Sequence, residues 1–380
     1  MSRGIAGAFE RSWSGGPKRV PWTWVLYPLG LVYAAAAAFA RARAERTRRT
    51  IPGLRVIAVG GLTVGGSGKS SVADWLATEL RARGAAPAVL LRGHGARRAP
   101  DGPFVIPDYE DYPGAEAVAR GGDEAAAHRG SLPGTIPVAA GHDRHRSARR
   151  VLAGYGAGLA ILDDGWEQPG LRWDELWVVL DPERPAGNGA PIPAGPLRRP
   201  VASLREASVI AWIEEDGRES DRARIDRVRA WAPDATVLRF RRVLASISPL
   251  GERRARVLGA ARDAVSAVRA LPPAGLVSGL GAPERFERFA RGAGVRVVSH
   301  AAFPDHAAWT ADQIESAVRE AARKGAGVIL TTEKDEARWP GGAHAALPVR
   351  VLRTMLEPLD PVDGVLDRAR GAMASPAAIG

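Results

Sequence analysis

Lys69 and Ser70 follow a nine-residue stretch, Gly60 to Gly68, that holds five glycines. An ammonium and a hydroxyl at that point suit one chemistry. Glycines let successive backbone N–H groups turn inward onto phosphate oxygens, and the start of a helix adds positive potential. Lys69 would reach the β- and γ-phosphates of a nucleotide, and the Ser70 hydroxyl would ligate Mg²⁺. The residues that would wrap ATP are then Thr63, Val64, Gly65, Gly66, Ser67, Gly68, Lys69 and Ser70. The usual spacing asks for glycine where Thr63 stands, so a plain glycine turn is the alternative. Only four of the chain's 53 basic residues are lysines, at 18, 69, 324 and 334. A chain that uses arginine almost everywhere keeps lysine in this loop.

Further residues could join that chemistry. Gly158 to Leu162 reads as a strand running into Asp163-Asp164-Gly165. A strand ending in aspartate is where phosphate-loop enzymes hold Mg²⁺. Alone this would be a turn with two acids; beside Lys69 and Ser70 the magnesium reading is preferred. Arg92 sits in a glycine turn at the end of the apolar run Pro87 to Leu91, a place suited to phosphate or sugar contact and equally to a simple turn. Asp123, after Gly121-Gly122, reads first as a helix cap. The absence of cysteine excludes disulfides, thiolate zinc sites and cysteine nucleophiles.

The elements that must position these groups read as alternating α/β. Leu54 to Val59 is a short β-branched run, as expected of a buried strand, and Val72, Leu76 and Leu80 then recur every four residues, as on one helix face. Strand, glycine loop and helix are the context a phosphate loop requires. Strands are expected at Leu176 to Asp181, Ser208 to Ile213 and Thr236 to Phe240, with a long irregular loop around 187–198, a length that is often functional. Leu238 to Ile247 and Val349 to Leu356 read as two long strands linking domains. Between them lies a second α/β unit: strand Ala274 to Leu280, a helix from Pro283, strand Val295 to Ser299, helix Ala311 to Lys324 and strand Gly327 to Leu330. The expected architecture is a phosphate-loop α/β/α sandwich (50–240), a smaller α/β/α domain with its two linker strands (241–356), and a poorly ordered tail from about 360.

The N-terminus differs in kind. Pro21 to Ala40 carries no charge and is followed by RARAERTRR. A secretory signal is discounted, because it would export a nucleotide-using domain away from its nucleotide. A spanning helix has just enough length, but the alanine run, Pro28, Gly30 and the basic flanks on both sides favour an interfacial anchor, with Trp22, Trp24 and Tyr27 at headgroup level. A helix packed on the protein's own core is the remaining alternative. Net charge is +11 and the isoelectric point about 10.7, which favours an anionic partner without choosing among nucleotide, nucleic acid, acidic membrane and phosphorylated substrate. No internal repeat is present.

Eight segments together resemble one family, tetraacyldisaccharide 4′-kinase, the lipid A 4′-kinase of Gram-negative bacteria. They are GGLTVGGSGKSS at 60–71, LRGHGAR at 91–97, GGDE at 121–124, ILDDGWEQ at 161–168, GNGAPIPAGPLRRP at 187–200, GLGAPERF at 279–286, FPDH at 303–306 and TTEKD at 331–335. Each is weak, and eight in the family's order are specific. There are departures. Gly61 stands for the family's Asn, Ser70-Ser71 for Thr-Pro, His94 for Tyr, Glu167-Gln168 for Gln-His, and Arg199 for Glu. Ser70 keeps the hydroxyl, while contacts made by positions 167 and 168 come into question.

The resemblance implies transfer of the ATP γ-phosphoryl group to the 4′-hydroxyl of a tetraacylated glucosamine disaccharide 1-phosphate, forming the lipid A precursor. It also implies a peripheral enzyme on the cytoplasmic face of the inner membrane, against an anionic surface. It maps the general base onto Asp123 and that base's partner onto His306, with Arg92, Asn188 and Arg198 as candidates for substrate contact. Mg²⁺ would sit on Ser70 with Asp163 or Asp164. The rival is a phosphate-loop switch or chaperone NTPase without a lipid acceptor; the guanine-reading Asn-Lys-x-Asp segment usual there does not occur. No nucleic-acid partner is expected, since the aromatics are not interleaved with arginine in a stacking pattern, and no obligate protein partner is inferred.

Overall fold

The structure is a computed structural model and describes residues 21–93, 102–106, 119–214, 222–252, 261–304, 309–340 and 346–371. Its frame is one twelve-stranded sheet. The strands in chain order are β1 Arg55–Gly61, β2 Pro87–Leu91, β3 Phe104–Ile106, β4 Val138–Ala140, β5 Leu159–Leu162, β6 Glu175–Leu180, β7 Val209–Glu214, β8 Thr236–Pro249, β9 Ala274–Ser278, β10 Val297–Ala302, β11 Val328–Thr332 and β12 Val349–Pro358. Their spatial order is β10-β9-β11-β12-β8-β7-β6-β1-β5-β2-β4-β3. All neighbours are parallel except the edge pair β3–β4 and the central pair β8–β12.

β1 shows why the first half is sandwiched. Successive side chains point to opposite faces, and Ile57 and Val59 enter one apolar cluster while Val56 and Ala58 enter another. Helices must therefore cover both faces, and a parallel sheet with crossover helices supplies them. The helix Lys69–Ala82 covers the first face with Val72, Leu76 and Leu80, and its Trp75 meets Phe240 edge-on at 4.8 Å between ring centroids. The helix Arg144–Tyr155 covers the other with Ala148 and Val151. The second half repeats the logic: Leu276 and Leu330 pack on Phe286 and Ala290 of helix Pro283–Gly292, while Val277 and Ile329 pack on Ile314 and Val318 of helix Ala311–Arg323.

The two strands expected as a link are the middle of the sheet. β8 pairs with β7 through Thr236–Arg241, then with β12 from Phe240 to Pro249, and β12 in turn pairs with β11. The two expected α/β/α units thus share a continuous sheet. One expectation changes over the described part of the tail: Asp363–Arg370 is a helix whose Val365, Leu366 and Ala369 are buried in the first half's core, while residues 372–380 lie outside the described residues. The reason is legible afterwards, since those three apolar residues lie on one helix face. Arg55 reinforces the docking by donating to the carbonyls of Ala369 and Arg368.

The N-terminal helix runs Pro21–Thr47 straight through Pro28. Within Val25–Thr47 an 18-residue window has a mean hydropathy of 1.5, and the helix is long enough to cross a membrane. It is not a core helix: Val25, Leu29, Val32 and Phe39 are all more than half exposed. It touches the rest of the molecule at few points. Gly30 lies where a Cβ would come within 3.1 Å of Pro191, Arg41 reaches the carbonyl of Arg198 and the carboxylate of Glu167, and just past the helix end Arg48 stacks on Trp173 at 3.6 Å.

Candidate active site

A cleft of about 2260 Å³ opens at the carboxyl ends of the first-half strands, walled on the far side by second-half residues including Arg285, Trp309 and Glu333. Carboxyl ends of parallel strands are where open α/β sheets place ligands. The glycine loop lies at its base. β1 ends at Gly61, the chain turns through Thr63 to Gly68, and the helix begins at Lys69. Gly68 takes φ +91°, and a Cβ there would also sit 2.5 Å from Ile213 Cδ1. Gly60 faces Trp166 so closely that a Cβ would lie 2.5 Å from its Cβ. The Ser67 hydroxyl is buried in the loop with no hydrogen-bond partner. Such an orphaned donor, among glycines and backbone amides at a helix start, fits a phosphate group.

Lys69 Nζ lies 3.7 Å from Asp164 Oδ1 and 3.5 Å from the Gly65 carbonyl oxygen. Ser70 Oγ donates to Asp163 Oδ2 at 2.7 Å. β5 delivers both aspartates through a tight turn in which Asp164 adopts φ +50°, the only positive φ among described non-glycine residues. Aspartate tolerates that region better than most side chains, and strain of this kind gathers at functional turns. The Asp164 backbone N–H donates to Asp163 Oδ1 at 2.9 Å. Arg198 Nη1 donates to both Asp164 oxygens, 3.0 Å each. A hydroxyl with two carboxylates is a hard oxygen set of the type Mg²⁺ takes. Among the described residues no group of three or more His, Cys, Asp or Glu side chains that could hold a metal ion is found.

Three residues that sequence reasoning did not single out complete this floor. His128, on helix Asp123–Ser131, is buried with Nε2 2.9 Å from Asp163 Oδ2 and Nδ1 2.6 Å from Asp74 Oδ1. Burial would lower its pKa, but the Asp74 charge and the bonds to Asp163 and Asp74 raise it well above the ordinary value. Burial would likewise raise that of Asp163; the His128 bond and charge, with Ser70 and Lys69, bring it below the usual carboxylate range. Arg144 is buried, lines the cleft and keeps an unpartnered Nε. Burial and the neighbouring Arg92 lower its pKa to about 10 against the pull of Asp163, Asp164 and Glu124, so it remains a cation. A histidine in an alanine-rich helix and an arginine in an arginine-rich segment carry no sequence signal that separates them from solvated neighbours.

The remaining expected residues are placed as follows. Asp123 lines the cleft at the first turn of its helix and accepts the Glu124 backbone N–H at 3.0 Å. Arg92 is exposed at the cleft, 3.4 Å from His142 Nε2. Asn188 turns inward on its own loop: its amide nitrogen donates to the Ala194 carbonyl and its oxygen accepts from Ala190 N. The geometry makes it a brace for the turn that carries Arg198. His306 and His94 lie outside the described residues. The two departures at 167 and 199 belong together, because Glu167 pairs with Arg199, which also bonds Glu206 and lies over the Trp166 ring at 4.5 Å.

A large mixed sheet flanked by helices, with a glycine loop, a lysine and serine at the following helix and strand-end aspartates beneath them, makes the chain an α/β protein with an N-terminal apolar helix. Residues 22–368 match the family described as LpxK, tetraacyldisaccharide-1-P 4′-kinase. A tetraacyldisaccharide 4′-kinase from Anaeromyxobacter dehalogenans (strain 2CP-C) is 37% identical over 329 residues, covering 83% of this chain and 81% of that protein. Another from Methylobacterium sp. (strain 4-46) is 34% identical over 362 residues, 94% and 95% of the two chains. Among solved structures, that of LpxK from Aquifex aeolicus in complex with ATP aligns with a TM-score of 0.66 at 20% identity, covering 91% of this chain and 97% of that one, which is a likeness of fold. The chain belongs to the tetraacyldisaccharide 4′-kinase family, whose enzymes act in lipid A biosynthesis, and tetraacyldisaccharide 1-phosphate is the substrate the family implies.

Proposed function

We propose that this kinase transfers the γ-phosphoryl group of ATP to the 4′-hydroxyl of tetraacyldisaccharide 1-phosphate within the cleft, with the glycine loop as the nucleotide site. One observation carries the reading: Lys69, Ser70, Asp163 and Asp164 converge at the base of a cleft that Asp123 also lines. Phosphoryl transfer asks for positioned charge more than covalent chemistry. Lys69 is held between Gly65 and Asp164, where it would meet the β- and γ-phosphates. Ser70, Asp163 and Asp164 would hold Mg²⁺, which when bound supplies neutralisation of the phosphate oxygens. The ATP-bound relative of similar fold supports the nucleotide assignment.

A sugar hydroxyl is a poor nucleophile and benefits from a general base. Asp123 takes that role in this reading, accepting the 4′-hydroxyl proton, with His306 as its partner from the second half and with closure of the units 50–240 and 241–356 joining them. Arg92 and Arg198 are the candidates for the substrate's phosphate and sugar oxygens, and the buried Arg144 extends that basic wall. The N-terminal helix is read as an interfacial anchor on the cytoplasmic face of the inner membrane, its exposed apolar side in lipid and its basic end toward anionic headgroups. The helix touches the loop that carries Arg198, which would keep the cleft close to a lipid substrate.

The test is incubation of the full chain in detergent with γ-labelled ATP, Mg²⁺ and tetraacyldisaccharide 1-phosphate, with chromatography of the lipid. Label on the 4′-position of the disaccharide is expected. Free labelled phosphate with no labelled lipid would overturn the reading in favour of a nucleotide-hydrolysing switch.

A further inference from the structure

We propose that Asp74 and His128 form a positioning unit that sets the orientation of the Asp163 carboxylate and locks the helix bearing Asp123 to the phosphate-loop helix. This rests on the reading of Ser70 and Asp163 as the Mg²⁺ site. The geometry is specific. The His128 ring lies between two carboxylates, 2.6 Å from Asp74 and 2.9 Å from Asp163. Each ring nitrogen faces one carboxylate, so the imidazole bridges the two. Asp163 Oδ1 is held by the Asp164 backbone N–H, while Oδ2 is shared by Ser70 and His128. If Ser70 turned away toward an ion, His128 would become the side chain left to stop the carboxylate from rotating.

Each member comes from a different element. Asp74 is on helix Lys69–Ala82, His128 on helix Asp123–Ser131, and Asp163 follows β5. One imidazole therefore registers the phosphate loop, the turn below it and the helix that starts with Asp123. All three are buried, where a charged bond is strong and its loss is costly. Hydrogen-bonded partners behind a metal ligand typically change metal affinity or activity 10–100-fold when removed. A network serving stability alone would alter melting and leave the metal dependence in place.

The experiment uses the full chain in detergent with His128→Leu, Asp74→Asn, the double variant, and Ser70→Ala and Asp163→Asn as references. Two quantities are read: the Mg²⁺ concentration giving half-maximal turnover, and ATP affinity by calorimetry without lipid acceptor, in Mg²⁺ and in EDTA. For His128→Leu, kcat should fall about 10–100-fold and the Mg²⁺ requirement rise about tenfold. The affinity gain that Mg²⁺ confers on ATP should shrink to match, with affinity in EDTA unchanged. Asp74→Asn should move both in the same direction by less, and the double variant should be no worse than His128→Leu. If the references shift Mg²⁺ dependence while His128→Leu and Asp74→Asn lower only the melting temperature, the positioning role is overturned and the metal site stands. If the references also leave it unchanged, the metal reading falls and this inference with it. Should His128→Leu not fold, the shape-conserving Asp74→Asn decides by the same two readouts.

Discussion

At the residue scale the site is a set of charges held in fixed relation to one another. Lys69 rests against Asp164, Asp164 is gripped by Arg198, and Asp163 is fixed by Ser70 and His128. Catalysis by positioned charge gains most from such preorganisation, because the groups need not reorient in the transition state. Lys69→Ala should therefore lower kcat by at least about 10²-fold, in the range seen when one transition-state donor is removed. Circular dichroism and the melting curve should stay close to those of the parent. Near-normal turnover with alanine at 69 would remove the phosphate-loop assignment. The pairing of Glu167 with Arg199 also belongs to this scale. Two departures from the family's usual residues meet each other, so together they form a local ion pair.

At the element scale, two helices at the ends of the chain behave differently from ordinary termini. The helix Asp363–Arg370 seals one face of the first half, with Leu366 fully buried. Leu366→Ala should destabilise the protein by about 2–5 kcal/mol, the usual cost of a buried leucine truncation. The check is the urea midpoint at unchanged denaturant slope; a shift within about 0.5 kcal/mol would show that the helix is only loosely docked. The N-terminal helix instead leaves its apolar residues outside. Val32 and Phe39 are 65% and 74% exposed and seven residues apart, so they share a face. Val32→Glu with Phe39→Glu should release the protein from anionic vesicles in flotation assays and leave its melting temperature unchanged. Retention on vesicles would show that another surface binds the membrane.

At the scale of the whole molecule, the continuous sheet makes the β8–β12 pair both a joint and a wall. Strands of the first half point their carboxyl ends into the cleft, and second-half residues face them across it. An ion pair and a hydrogen bond cross the opening: Arg285 meets Asp181 at 2.5 Å, and Ser131 Oγ donates to Glu333 at 3.3 Å. Asp123 lines this opening, and the proposed base pairs it with His306. Asp123→Ala should then cost about 10²–10⁴-fold in kcat, with little change in KM for ATP. His306→Ala should cost as much or less, and the double variant should be little worse than the poorer single, since members of a unit are non-additive. Full additivity, or an effect on KM alone, would place the base elsewhere, with Asp164 the first substitute to test.

Much of this was already carried by local sequence. The strands β1, β2, β5, β6 and β9, the glycine loop and the helices beginning at Lys69 and Pro283 follow from β-branched runs, four-residue apolar spacing and turn residues, all short-range effects. So does the placing of Lys69, Ser70, Asp163 and Asp164, because a strand end and a helix start aim their side chains by backbone geometry alone. What local pattern could not decide was which distant groups meet. His128 and Arg144 are indistinguishable in sequence from solvated neighbours, and only the packing of their helices against β2, β4 and the phosphate-loop helix turns them inward. The inward turn of Asn188, the pairing of Glu167 with Arg199 and the docking of Asp363–Arg370 have the same origin. Each depends on contacts between segments far apart in the chain, where burial rather than propensity sets the free energy.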